Sequence, residues 1–264
     1  MTRVLPRTNF HSSKLIRCLA DLAIVDAAEP GDAFAEKLGL WVHFTDAIIL
    51  SALHNDSIAS PPKMHLEAQS AARVAVGAEF DRIRVSLVNS ITKSCSPNLG
   101  KTHIELPVPK LELPIDLAAA YAPYRRFYDA HQRDMELSIQ PLRFNVRAAL
   151  AKASPMLKKL ADLDAAFETI LRDRESKLLG AVPGLLKKRF EKLFKAHQQI
   201  FIDTQQADNP ACWTQAGAWL ARFHNELQTL LLAELEFRLQ PALGLIEALV
   251  EAVDNEKNNE KSNE

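Results

Sequence analysis

From Ile115 to Val253 apolar residues recur at the spacing of an α-helix with only short interruptions. That pattern constrains the fold more than any motif does. Leu186, Phe190, Leu193, His197 and Ile200 step by four and three residues, and so do Leu220, Phe223, Leu227 and Leu230. Each run draws one stripe along one helix. Both are only about two to three heptads long, which favours an internal antiparallel bundle over an extended coiled coil. Glycine is 8 of 264 residues, about half the usual share, so tight turns are few. The expected fold is all-α: a multi-helix bundle of long, proline-interrupted helices with short coiled-coil packing.

Two of the interruptions are alike. "LSIQPLRF" at 137–144 and "FRLQPALG" at 237–244 each place Gln-Pro inside a helical pattern. Proline has no N–H for the carbonyl four residues back, here Leu137 and Phe237, and its ring crowds that carbonyl. Pro141 and Pro241 are therefore read as junctions opening a fresh helix, or as bends. "AVPGLL" at 181–186 is read the same way, as a break and restart. Setting 135–150 against 235–250 matches Glu136 with Glu236, Gln140 with Gln240, Pro141 with Pro241 and Ala148 with Ala248. Duplication or coincidence between two amphipathic helices would each give that much.

N-terminal to this region, Ser12 or Ser13 can cap a first helix bearing Leu15, Ile16, Leu19, Leu22 and Val25. Pro30-Gly31 ends it, and Asp32 caps a second helix reaching about Leu53. With Phe34, Leu38, Trp41, Val42, Phe44, Ile48 and Ile49, that helix is apolar over more than half its circumference, which predicts a buried central element. "HNDSIASPPK" is a loop, and a third helix is expected over about Leu66 to Thr92. Pro97, Pro107, Pro109 and Pro114 then mark a linker, with a short extended piece at His103 to Leu106. The expected organisation is an N-terminal helical region at 1–94, a Pro-rich linker at 95–114, a C-terminal bundle at 115–253 and a disordered acidic tail at 254–264.

Lys+Arg total 32 and Asp+Glu 33, so no global charge draws the chain to nucleic acid or anionic lipid. Cys18, Cys95 and Cys212 are odd in number and far apart, which argues against a disulfide framework and for a reducing compartment. The most apolar run, "AIILSAL" at 47–53, falls far short of the ~20 residues that span a bilayer. A cytoplasmic protein is expected, with no direct membrane insertion.

No chemistry announces itself. "CSPNLGKT" at 95–102 ends like a phosphate-binding loop, but Cys95 stands where the first glycine belongs and no strand precedes it. His43 and His54 project to similar sides of one helix, with Asp46 a turn from His43. They are nevertheless about 16 Å apart along the axis and cannot share one ion unaided. No hydrolase elbow, zinc-protease pair or dinucleotide fingerprint is present. The expectation is no cofactor, no metal and no catalytic role. An enzyme whose site assembles from distant positions is the remaining alternative.

One local charge feature stands out: Lys187, Lys188, Arg189, Lys192 and Lys195 surround the single acid Glu191. With Arg125 and Arg126 among the aromatics of "YRRFY", this forms the nucleic-acid alternative. The commoner reading of such a run is the solvated face of an amphipathic helix. For partner proteins, the helix face of Leu220, Phe223 and Leu227 is the candidate docking surface.

Four stretches carry a resemblance: "RTNFHSSKLIRCLADLA" from Arg7, "FAEKLGLWVHFTDAIILSAL" from Phe34, "YAPYRRFYDAHQRDMELSIQPLR" from Tyr121 and "LLAELEFRLQPALGLIEAL" from Leu231. In these the chain resembles an uncharacterised proteobacterial family known as domain of unknown function 3348. The segment from about Asn55 to Leu113 departs most. Members of that family are encoded beside a peptidoglycan-binding protein and a homologue of proton-channel stators, an arrangement that resembles type III Zorya antiphage defence. The resemblance implies an accessory or effector protein that works with a membrane stator-type motor complex, recruited to the inner membrane by that partner. It brings no catalytic residues with it.

Overall fold

The computed structural model describes residues 13–22, 42–55, 66–96, 103–108, 116–204 and 208–262. Within them are six α-helices, one short 3₁₀ turn and no strand. The helices are α1 (Lys14–Asp21), α2 (Phe44–Asn55), α3 (Leu66–Ser94), α4 (Leu117–Ala153), α5 (Pro155–Thr204) and α6 (Trp219–Ser262), with the 3₁₀ turn at Pro210–Cys212. The all-α reading stands. Ser12, Val25, Pro30-Gly31, Asp32, Phe34, Leu38, Trp41 and most of the Pro-rich stretch lie outside the described residues. Residues 103–108 carry no regular structure.

Local chemistry sets the helix starts. Asp116 caps α4, its Oδ1 accepting the Ala118 N–H at 2.9 Å. Ser154 caps α5, its Oγ accepting the Leu157 N–H at 3.2 Å, with Pro155 at the first helical position. Before α6, Gly217 takes a left-handed φ of 86°, which a side chain would resist. At α2, the Asp46 carboxylate accepts the His43 backbone N–H at 3.0 Å, one half of a capping box.

Of the two readings of the Gln-Pro sites, the fresh helix start fails. Pro141 and Pro241 open no helix: α4 and α6 run on through them, and α5 runs on through Pro183. The junction lies instead at Ser154-Pro155. Leu137 and Phe237, whose carbonyls the two Gln-Pro prolines deprive of a partner, are both exposed, so water can take the missing donor's place.

The chain folds into two compact units, neither of them a continuous stretch. One comprises 1–30, 88–133 and 180–237; the other comprises 31–87, 134–179 and 238–264. This grouping cuts across the sequential division at 95–114, because the long helices each supply residues to both units.

The first unit has an aromatic core. Tyr124 and Phe190 meet Phe223 edge-on, with ring centroids 5.4 and 5.1 Å away, and Trp219 meets Phe190 at 5.2 Å. Tyr121 lies beside Phe223, Tyr124 beside His224, and Gln132 beside Glu234. The pairings advance together, so α4 and α6 run parallel here, with residue i roughly level with i+100. That offset is the one relating the two Gln-Pro motifs. Burial repeats at the same offset along the two sequences: Met135/Leu235, Ile139/Leu239, Leu142/Ala242 and Val146/Ile246 are buried, whereas Glu136/Glu236, Leu137/Phe237, Gln140/Gln240 and Phe144/Gly244 are exposed.

The second unit is tied together by polar contacts along its helices. Gln69 donates to the Ala153 carbonyl at 3.1 Å, and Asn145 to Glu79 at 3.0 Å, so α3 runs antiparallel to α4. Arg143 and Arg147 of α4 reach Asp164 of α5, both at 2.6 Å, and Arg147 reaches Glu168 at 2.5 Å. Helix α6 continues to Ser262, so the acidic tail is helical and not irregular over most of its length. Glu and Lys are good helix formers, and Arg73 holds Asp254 at 2.6 Å where that segment begins.

Candidate interaction surfaces

The residues singled out in the sequence separate once placed. Leu220, Phe223 and Leu227 are fully buried, packed into the first unit's own core with Leu230. They hold the protein together and present no face to a partner. Their 4-3 spacing reported a buried stripe, and periodicity alone does not say what covers one.

The five-cation patch also divides. Arg189 is buried and forms a two-pronged pair with Glu226, Nε to Oε2 at 2.8 Å and Nη2 to Oε1 at 2.6 Å. The Glu226 hydrogen bond raises the Arg189 pKa against the effect of burial. Burial pushes the Glu226 carboxyl up, but hydrogen bonds from Arg189 and Arg222 outweigh it and hold the group below its ordinary value. Lys187 sits 3.8 Å from Glu191. Lys188, Lys192 and Lys195 remain exposed on one side of α5. Arg189 was legible as an inward position, being three residues from Leu186 and four from Leu193. Arg125 and Arg126 are exposed, Arg125 lying 3.7 Å from Asp129, but Tyr124 and Tyr128 beside them are buried and offer bases no stacking surface.

Two polar clusters escaped the sequence reading. Glu234, buried on α6, accepts the Tyr128 hydroxyl at 2.7 Å and the Gln132 amide at 2.9 Å. It falls between Leu230 and Leu231 on the helical wheel, so its burial was legible; its partners, more than a hundred residues away, were not. Asp208 accepts the Trp213 indole N–H at 2.7 Å and lies 3.0 Å from His197 Nε2, clasping the connection between α5 and α6. Trp213, Trp219 and Phe194 pack ring against ring there, at centroid distances of 5.3 to 5.8 Å, leaving no gap for a cation between them. His43 is exposed and Asp46 is engaged as a cap, while the side chain of His54 lies outside the described residues. Among the described residues no three His, Cys, Asp or Glu side chains gather as metal ligands would.

Cys95 is a further non-participant, since burial pushes its thiol up to about 12 and so suppresses the thiolate.

The largest departure is α2. Predicted to be a buried central element, it leaves Phe44 81%, Ile48 54% and Ile49 52% exposed, and among its described side chains only Asp46, Leu50 and Leu53 turn partly inward. Apolar composition signals that a surface needs covering, but it does not require the cover to come from the same unit. A second outward stripe lies on α4, where Leu137 (67% exposed) and Phe144 (69%) flank the exposed Pro141.

No helix among the described residues is long and apolar enough to cross a membrane. Comparison with curated proteins and with solved structures gave no match. The family profile described as "Protein of unknown function (DUF3348)" matches residues 1–251, and the chain belongs to that family.

Proposed function

We propose that the protein is a non-catalytic helical docking component whose work is to bind other proteins. The observation that supports this reading is α2. A helix carrying exposed Phe44, Ile48 and Ile49, with Asp46 as its sole charged side chain, loses free energy for as long as water covers it. The family resemblance supplies the partner: a stator-type component of a proton-driven membrane motor, in an assembly like type III Zorya antiphage defence. On this reading the protein sits at the inner membrane because its partner does.

Co-expression of the full chain with stator-type and peptidoglycan-binding proteins of the kind encoded beside members of the resembled family tests the proposal. The wild-type chain is expected to co-purify with the stator component, and F44S/I48S/I49S to lose it while keeping the same helical content. Absence of any cluster protein from the wild-type purification, at low and at high salt, would overturn the reading. Nothing in the structure favours the DNA-binding alternative, because Arg189 is committed to Glu226 and the neighbouring tyrosines are buried.

A further inference from the structure

Lys188, Lys192 and Lys195 step by four and three along α5 and cover about 10 Å of its axis. They point away from the core, which Leu186, Phe190 and Leu193 of the same turns help to form. Like charges four residues apart weaken a helix, so helix formation does not explain the row. Within residues 185–195 the one acid is Glu191, and it lies 3.8 Å from Lys187. Toward the N-terminus the exposed side continues through Ala181 and Gly184, and a Cβ added at Gly184 would meet nothing within 4 Å. A row of cations thus runs into a low, open stretch of helix surface.

We propose that this strip of α5 docks an acidic helical segment of a partner protein, with carboxylates at the same 4-3 spacing facing the three lysines. Such a segment matches the strip in charge and in repeat, and the small residues at 181 and 184 let its backbone come close. Nucleic acid matches less well. Tight duplex binding uses about 6–10 phosphate contacts, whereas three lysines are offered, and the nearby tyrosines are buried. The inference names a chemistry for one partner and so rests on the docking role above. It concerns a different helix from α2.

The test measures fluorescence anisotropy of the full-length protein with three labelled probes. These are a helical peptide with Glu at 4-3 spacing, the same peptide with Gln in place of Glu, and a short DNA duplex. The Glu peptide is expected to bind, to weaken as salt is raised, and to bind better than the Gln peptide. K188E/K192E/K195E should lower its affinity about tenfold, and K188R/K192R/K195R should retain it within about twofold. Circular dichroism checks that both variants keep the helical content of the wild type. No binding at low salt, equal binding of the Gln peptide, or unchanged affinity in the charge-reversed chain would each overturn the proposal. Tighter binding of the duplex through the same lysines would overturn it as well, in favour of nucleic acid. Stator capture lost in the α2 variant but retained in the lysine variant, together with failure of the Glu peptide, would sink this inference and spare the docking role.

Discussion

His131 and His224 are kept neutral by burial, each held down to about 4. In the unfolded chain both take up a proton near 6.5. Between those values the unfolded state binds more protons, so stability is complete above about pH 6.5 and is lost as pH falls toward 4. Each histidine contributes up to about 1.4 kcal/mol per pH unit in that window. His131→Leu should remove its share, because the Nε2 of His131 is buried without a partner and Phe127 packs against the ring at 4.7 Å. Urea midpoints at pH 7.5 and pH 5 would show it, and an unchanged pH dependence in the variant would refute it. The charged pair answers to a different mutation. Arg189→Ala strands the Glu226 carboxylate with the exposed Arg222 and is expected to cost about 3 kcal/mol, whereas Lys188→Ala should change stability by less than about 0.5 kcal/mol. At this scale the helical period could have told that Arg189 and Glu234 face inward, although the sequence reading put Arg189 on a solvated face and passed over Glu234. It could not name partners such as Glu226 or Tyr128, which only the folded chain brings near.

Among the elements, the long helices were legible from period alone, and their starts could have been. The capping Ser154 before Pro155 carries the expected signature of a helix start, whereas Pro141 and Pro241 look similar but sit inside helices. What separates them is the residue in front: Ser154 caps the helix that Pro155 opens, whereas Gln140 and Gln240 stand inside continuing helices. Pro141→Ala should therefore restore an ordinary helical turn and raise stability by roughly 1–3 kcal/mol, read as a higher Tm. Pro183→Ala should gain less, since the Pro183 ring is buried and its removal also loses packing. Helix α2 shows the opposite limit of pattern reading. Its composition demanded cover, and nothing in a single sequence distinguishes cover by its own chain from cover by another. Phe44→Ser should leave the urea midpoint nearly unchanged; a loss above about 1 kcal/mol would mean that the ring is packed and not waiting for a partner.

For the molecule as a whole, each compact unit gathers segments from both sides of the Pro-rich stretch. A cut there should not yield two folding halves. The fragment 1–94 is expected to lack a cooperative unfolding transition, and a sigmoidal melt from it would contradict the grouping. Composition hid this, because Pro97 to Pro114 look like a domain linker whether or not the helices on either side belong to common cores. The parallel course of α4 and α6 carries a consequence for biosynthesis. The Tyr124 hydroxyl lies beside His224 and the Tyr128 hydroxyl bonds Glu234, partners 100 and 106 residues downstream. A ribosome adding about 5–20 residues per second leaves α4 waiting at least several seconds for α6, with its aromatic face open to solvent. An all-helical chain would ordinarily fold fast through local contacts, but this one must close its core over long separations. The nascent protein is thus a natural client for a chaperone until its last helix has left the tunnel.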